Sequence, residues 1–135
     1  MRVRALAILL FLIGLALVGE GAVGKTASAP QGPQIVSIDF DLTINPASAE
    51  WANEALDDAK KDRVDIVIFR LDTPGGLDDS MREIVKNIIA APMPVVVYVS
   101  PDGARAASAG AFITESADVA AMAPQTNIGS ASART

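Results

Sequence analysis

Short apolar runs and amphipathic stretches alternate along the chain from residue 34 onwards. Four apolar runs predict β-strands at residues 34–40, 64–71, 94–100 and 119–123. These runs are almost continuously apolar, which is typical of a parallel sheet covered by helices. The pattern therefore predicts an α/β fold of repeated βαβ units with a mostly parallel sheet.

The first predicted helix begins at Asn45 and Pro46. Asn is a favoured helix cap. Pro is tolerated at the first helical position, because an N–H there would have no acceptor within the helix. Trp51 follows at helical spacing and is predicted to lie in the core. The rest of the apolar stripe is Ala52, Ala55, Leu56 and Ala59.

The second predicted helix has Asp78 and Asp79 in its first turn, where negative charge suits the helix dipole. A turn is predicted at residues 101–107 and a short third helix at residues 108–116. The buried stripe of the second helix is predicted to be Met81, Ile84, Val85 and Ile88.

The amino terminus has basic residues followed by an apolar run, the order that is typical of a secretory signal. Arg2 and Arg4 precede an apolar run at residues 5–18, which is short for a membrane span of about 20 residues. We therefore predict a signal peptide, or an uncleaved anchor, at residues 1–29, and hence export to the extracytoplasmic side of a membrane. A linker is predicted at residues 30–33.

Composition narrows the chemistry that the chain can perform. Its 135 residues contain no cysteine and no histidine, which excludes disulfides, thiolate zinc sites and imidazole-dependent catalysis. The formal net charge is −5. No basic stripe is present that could neutralise phosphates, so no nucleic-acid partner is predicted.

Two loops are predicted to converge at the carboxyl edge of the sheet, because parallel strands all end at the same edge. Residues 72–76 leave the second strand, and residues 101–108 leave the third. In the first loop, Gly75 and Gly76 allow backbone N–H groups to approach a ligand, as an oxyanion requires. An ordinary Pro-Gly turn is the alternative.

Ser108 in the second loop is the candidate nucleophile. It lies where the loop meets the third helix, and the A-x-S-x-G spacing around it is close to a nucleophile elbow. A serine among alanines can also be a simple helix cap, which is the alternative.

Three runs together resemble the NfeD-type membrane-associated serine proteases of the ClpP class. They are LDTPGGL at residues 71–77, the third strand with GARAASAG at residues 103–110, and MAPQTNIG at residues 122–129. The resemblance implies a ClpP-like, crotonase-like fold and an ATP-independent endopeptidase with a Ser-Lys dyad. It also implies hydrophobic, membrane-associated peptide substrates, a stomatin-like partner and a homo-oligomer.

The resemblance also implies roles for individual residues. Ser108 matches the nucleophile, and the N–H groups of Gly76 and Ala109 match the oxyanion hole, whose turn Gly75 shapes. The family's lysine base lies beyond residue 135, so the domain at residues 34–135 is expected to be partial. None of Lys25, Lys60, Lys61 and Lys86 has a reason to be desolvated and so to act as a base.

Two other functions stay open at this point. A crotonase-type acyl-CoA enzyme would use the same pair of N–H donors with a carboxylate, for which Glu115 is the nearby candidate. A family member without its base could instead only bind peptides. No cofactor or metal is predicted, since Asp39 and Asp41 alone are weak evidence for a cation site. Arg105 is expected to be a solvated surface charge.

Overall fold

A four-stranded parallel sheet forms the centre of the computed structural model, which describes residues 32–131. Its strands are β1 (Ile35–Asp41), β2 (Ile66–Asp72), β3 (Val95–Val99) and β5 (Val119–Met122), in the order β1-β2-β3-β5. Every neighbouring pair is parallel. The four predicted strands and the predicted α/β class are therefore confirmed.

Helices connect consecutive strands of this sheet. They are α1 (Pro46–Asp62), α2 (Asp78–Ile89) and α3 (Ala109–Glu115). Helix α1 packs on α2, and α2 packs on α3. Because each new strand adds on the same side of the previous one, right-handed crossovers bring all three helices to one face of the sheet.

The start of α1 is held by a reciprocal cap, as Asn45 and Pro46 predict. The Asn45 side chain accepts a hydrogen bond from the Ser48 N–H (3.1 Å), and the Ser48 hydroxyl accepts one from the Asn45 N–H (2.9 Å). This capping box fixes where the chain turns after β1. At the other end of the helix, Arg63 takes a left-handed conformation (φ 55°) that stops it.

The core lies between the sheet and the three helices. Phe40 and Phe69 stack at its centre, with ring centroids 5.5 Å apart. The prediction that Trp51 is a core residue is wrong, since 42% of it is exposed. Its neighbour Ala52 lies in the buried stripe, so Trp51 is rotated to the flank of α1. The Trp51 ring is tilted by 42° against Phe40, with the ring centroids 6.1 Å apart.

A second, smaller sheet was not predicted. Residues 101–107, predicted as a turn, contain strand β4 (Arg105–Ala107), which pairs in parallel with β6 (Asn127–Gly129). Both strands have three residues, too few to produce a recognisable period. They form because neighbouring backbone provides hydrogen-bond partners: β4 pairs with β6 on one side, and Thr73 forms a β-bridge to Ala106 on the other.

The predicted signal peptide at residues 1–29, and residues 30 and 31 of the predicted linker, lie outside the described residues. Within residues 32–131, none of the helices combines the length and the apolarity needed to cross a bilayer.

Candidate active site

The two predicted loops do meet, and their backbones are hydrogen-bonded to each other. The Thr73 N–H donates to the Arg105 carbonyl (2.7 Å), and the Ala107 N–H donates to the Thr73 carbonyl (3.1 Å). There is no room for a side chain at Gly75, because a Cβ there would lie 2.7 Å from the Ser108 Cβ. The Gly-Gly turn and the candidate nucleophile are therefore in direct contact.

Ser108 has a backbone conformation that non-glycine residues rarely adopt, with φ 53° and ψ −115°. Its N–H donates to the Gly129 carbonyl (2.7 Å), and its own carbonyl accepts from the Ala111 N–H (3.0 Å). The hydroxyl makes no capping hydrogen bond to α3, and the residue is exposed. Ser108 is thus not the simple cap of the alternative interpretation, and strain of this kind is concentrated at functional sites.

The peptide unit between Gly75 and Gly76 is held by Ile44. The Gly75 carbonyl accepts from the Ile44 N–H (2.9 Å), and the Leu77 N–H donates to the Ile44 carbonyl (2.9 Å). In a trans peptide the N–H points opposite to the C=O. The Gly76 N–H therefore points away from Ile44.

Among residues 32–131, two backbone donors beside Ser108 have no hydrogen-bond partner. The Ala109 N–H is the first of α3 and has no intrahelical acceptor. Neither it nor the Gly76 N–H finds a backbone acceptor among residues 32–131. Gly76, Ser108 and Ala109 all line one cavity, so both donors and the hydroxyl belong to the same site.

That cavity is an open groove of about 820 Å³ between α2 and α3. Its lining is largely apolar, and two of its side chains are strongly exposed: Leu77 by 57% and Ile89 by 70%. The other apolar side chains that line it are Met81, Val85 and Phe112. An apolar segment of a ligand could therefore lie in the groove next to Ser108.

Charged side chains also line the groove, among them Asp78 and Arg82. Arg82 donates from Nε to Asp78 Oδ2 (2.8 Å), and this hydrogen bond raises the pKa of the Arg82 guanidinium above its ordinary value. Glu115, the candidate for acyl-CoA chemistry, also lines the groove.

No lysine lines this groove within the part of the chain that the structure describes. Lys61 is exposed and pairs with Asp58 (2.7 Å), as a solvated helix end predicts. Lys60 is more covered than predicted, because it lies between Asp57 (2.9 Å) and Asn87. Its hydrogen bond lowers the pKa of the Asp57 carboxyl.

The remaining charged candidates are not part of the site. Asp39 forms an ion pair with Arg70 (3.0 Å), and residues 32–131 contain no cluster of three or more acidic side chains able to hold a metal. Arg105 is exposed, and its guanidinium has no ion-pair partner within residues 32–131. This agrees with the expected solvated charge.

Three residues that support the site were given no role by the sequence. Ile44 and Gly129 contribute only backbone groups, which leave no signal in a side-chain pattern. Thr73 had a usable signal, because Ser and Thr often hydrogen-bond to backbone two residues on and so shape turns.

Solved structures of proteases share this fold. The chain matches a mutant of the 1510-N membrane-bound stomatin-specific protease, solved in complex with a substrate peptide, with a TM-score of 0.67 and 36% identity over 73% of this chain and 44% of that chain. A mutant of ClpP1 from Listeria monocytogenes matches with a TM-score of 0.60 and 23% identity, over 69% of this chain and 53% of that chain. The fold is therefore that of part of a ClpP-like protease domain.

Sequence comparison gives the family. The family model described as NfeD1b, N-terminal domain matches residues 34–135, and the chain belongs to this family. Membrane-bound protease PH1510 of Pyrococcus horikoshii is 48% identical over 71 residues, which are 53% of this chain and 16% of that protein. Membrane protein NfeD1b of Bacillus subtilis is 33% identical over 120 residues, 89% of this chain and 26% of that protein. The chain thus spans only a minor part of the length of these relatives.

Proposed function

We propose that this chain provides the nucleophile and the oxyanion hole of a serine endopeptidase. The observation that carries the proposal is the Ser108 hydroxyl, which makes no capping hydrogen bond and lies on a strained, exposed turn. Next to it are the N–H groups of Gly76 and Ala109, which have no backbone acceptor in the described part of the chain. Relatives that are named as proteases support the same activity.

In this proposal the Ser108 Oγ attacks the carbonyl carbon of the scissile peptide bond while a base takes its proton. The carbonyl oxygen becomes an oxyanion, which accepts hydrogen bonds from the Gly76 and Ala109 N–H groups. Donors that are oriented before the reaction stabilise this charge at no cost of reorganisation. The C–N bond then breaks, the base returns the proton to the leaving amine, and water hydrolyses the Ser108 ester. The family resemblance implies that the base is a lysine outside residues 32–131.

The substrates we propose are hydrophobic peptides of membrane proteins. The apolar groove beside Ser108 supports this choice, because exposed Leu77 and Ile89 would be covered by an apolar ligand. The relative with a similar fold is named stomatin-specific, which supports a stomatin-like substrate for this chain as well. Membrane association is supported by relatives that are named as membrane proteins.

An acyl-CoA enzyme would place a thioester carbonyl on the same two N–H groups, with Glu115 in the groove as its acid-base group. Peptide and acyl-CoA substrates should therefore be compared side by side. Thioester turnover that survives Ser108→Ala and is lost in Glu115→Gln would favour that reaction over the proposed peptidase.

Export is the first expected result. Protein expressed from the whole sequence should be recovered from membrane or extracytoplasmic fractions, because Arg2 and Arg4 precede an apolar run of signal-peptide length. Amino-terminal sequencing should begin after residue 29 if the leader is cleaved. An intact Met1 on soluble cytoplasmic material would contradict the prediction.

The second expected result is that the 135-residue chain alone does not turn over peptides. A serine hydroxyl is a poor nucleophile near neutral pH until a base takes its proton, and no lysine lines the groove within residues 32–131. Residues 30–135 should be compared with an extended chain, in which the carboxyl-terminal part of a relative's catalytic domain follows residue 135. Peptide hydrolysis and labelling by a fluorophosphonate probe are the measurements.

Only the extended chain should cleave peptides and react with the probe. The oxyanion donors alone can give a small residual rate, as they do in other proteases after removal of the catalytic groups. Robust cleavage by residues 30–135 would mean that a base exists within them.

A further inference from the structure

Thr73 lies in the first loop of the site and contacts the second, although its side chain does not line the groove. It follows the last residue of β2 and is fully buried. Both its N–H and its carbonyl are hydrogen-bonded to β4, the strand that ends directly before Ser108. A buried polar side chain at such a junction requires partners for its hydroxyl, and the structure provides two.

The hydroxyl connects two backbone groups in a chain of hydrogen bonds. The Gly75 N–H donates to Thr73 Oγ1 (3.1 Å), and Oγ1 donates its own hydrogen to the Leu42 carbonyl (2.7 Å). A hydroxyl has one hydrogen and two acceptor positions, so both bonds can exist together. The N–H of Gly75 is thereby directed into the protein and away from the groove.

Gly75 is consequently held at both of its backbone polar groups. Thr73 Oγ1 holds the N–H, and the Ile44 N–H holds the C=O. With both groups fixed, the following peptide unit has little freedom to rotate, and the direction of the Gly76 N–H is determined. Loss of the Thr73 hydroxyl would release one of the two restraints.

The methyl group of Thr73 contacts the other side of the site. A Cβ on Gly110 would lie 2.5 Å from Thr73 Cγ2, so this methyl lies directly against the second residue of α3. The residue before Gly110 is Ala109, which carries the second N–H donor. One side chain therefore touches the supports of both donors.

We propose that Thr73 is a positioning residue that sets the geometry of the two N–H donors relative to each other. The hydroxyl is the main restraint, because it orients the Gly76 N–H through Gly75 and thus towards the Ala109 N–H. The methyl group only packs against the start of α3. The inference rests on the proposed function, because it assumes that these donors bind an oxyanion.

The test compares Thr73→Val with Thr73→Ser in the extended chain. Valine keeps the shape and removes the hydroxyl, and it should lower kcat for peptide hydrolysis by about 10- to 100-fold, with KM changed by less than about twofold. Serine keeps the hydroxyl and should retain kcat within about fivefold. Thr114→Val is the matched control, since it removes another buried hydroxyl, which donates to the Gly110 carbonyl (2.9 Å), without releasing Gly75.

A kcat for Thr73→Val equal to that of the Thr114→Val control would overturn the inference, even if the melting temperature falls. A serine variant as slow as the valine variant would overturn it too. The proposed function is tested separately by Ser108→Ala in the same chain: if that variant keeps its activity, the peptidase assignment itself fails. If Ser108→Ala is inactive and Thr73→Val is fully active, only the role of Thr73 is refuted.

Amide hydrogen exchange in the unsubstituted extended chain provides a test that needs no variant to fold. The Gly75 amide should be protected, because Thr73 Oγ1 accepts its hydrogen, and the Gly76 amide should exchange faster. Rapid exchange at Gly75 would contradict the proposed restraint.

Discussion

Ser108→Ala should abolish peptide cleavage by the extended chain, with a loss of at least about a thousandfold in kcat. The reason is that the substitution removes the only atom proposed to attack the substrate, while both N–H donors keep their positions. Stability should hardly change. The Ser108 hydroxyl makes no capping hydrogen bond, so the cost of about 1 kcal/mol for a lost helix cap does not arise. Steady-state hydrolysis and thermal melting are the measurements.

Ser116→Ala is the matched control for this experiment. Ser116 lines the same groove, but its hydroxyl donates to the Ile113 carbonyl (2.7 Å). Its removal should leave kcat within a few-fold of the unsubstituted chain. Equal activity of the two alanine variants would end the assignment of Ser108 as the nucleophile.

Gly76→Val should be the most damaging single substitution in the Gly-Gly turn. A Cβ on Gly76 would lie 1.9 Å from the carbonyl oxygen of Ile44, and that oxygen belongs to backbone that cannot move aside as a flexible side chain can. The loop must therefore shift and take the Gly76 N–H with it. We expect kcat to fall by on the order of a hundredfold or more. The free energy of unfolding should fall by about 2–3 kcal/mol, as for other overpacked sites.

Gly103→Ala separates this steric effect from backbone strain. Gly103 also has a positive φ (83°), but nothing lies within 4 Å of the position of its Cβ. The substitution should cost only about 1 kcal/mol of stability through its conformation, and kcat should be unchanged. If Gly76→Val were as mild as Gly103→Ala in both measurements, the Ile44 backbone would not be the constraint that the structure indicates.

The sheet and the long helices could be predicted because their signals are strong and local. Strands β2, β3 and β5 are nearly continuous apolar runs, β1 alternates apolar and polar residues, and α1 has a cap and a clear buried stripe. Trp51 shows the limit of spacing arguments, because its position relative to Ala52 decides whether the ring faces the core. Strands β4 and β6 could not be predicted, since segments of three residues become strands only through tertiary partners, such as Thr73 for β4.

The meeting of the two loops could also be predicted, because it follows from the geometry of parallel sheets. The fine structure of the site could not. The Ser108 hydroxyl makes no capping hydrogen bond because of the dihedral angles of this residue. Gly76 has no space for a Cβ because of the nearby backbone of Ile44. Residue types alone do not determine those angles and contacts. The resemblance to NfeD-type proteases pointed to the same residues without giving their geometry.

The hydrogen bond from the Ser108 N–H to the Gly129 carbonyl has a consequence for the order of events during protein synthesis. The ribosome adds about twenty residues between Ser108 and Gly129, at rates on the order of 5–20 residues per second. For that interval the nascent chain already contains its candidate nucleophile but lacks the strand that anchors the strained turn. The turn can therefore take its final shape only after β6 has emerged and paired with β4, which delays assembly of the site until the chain is long enough to fold around it.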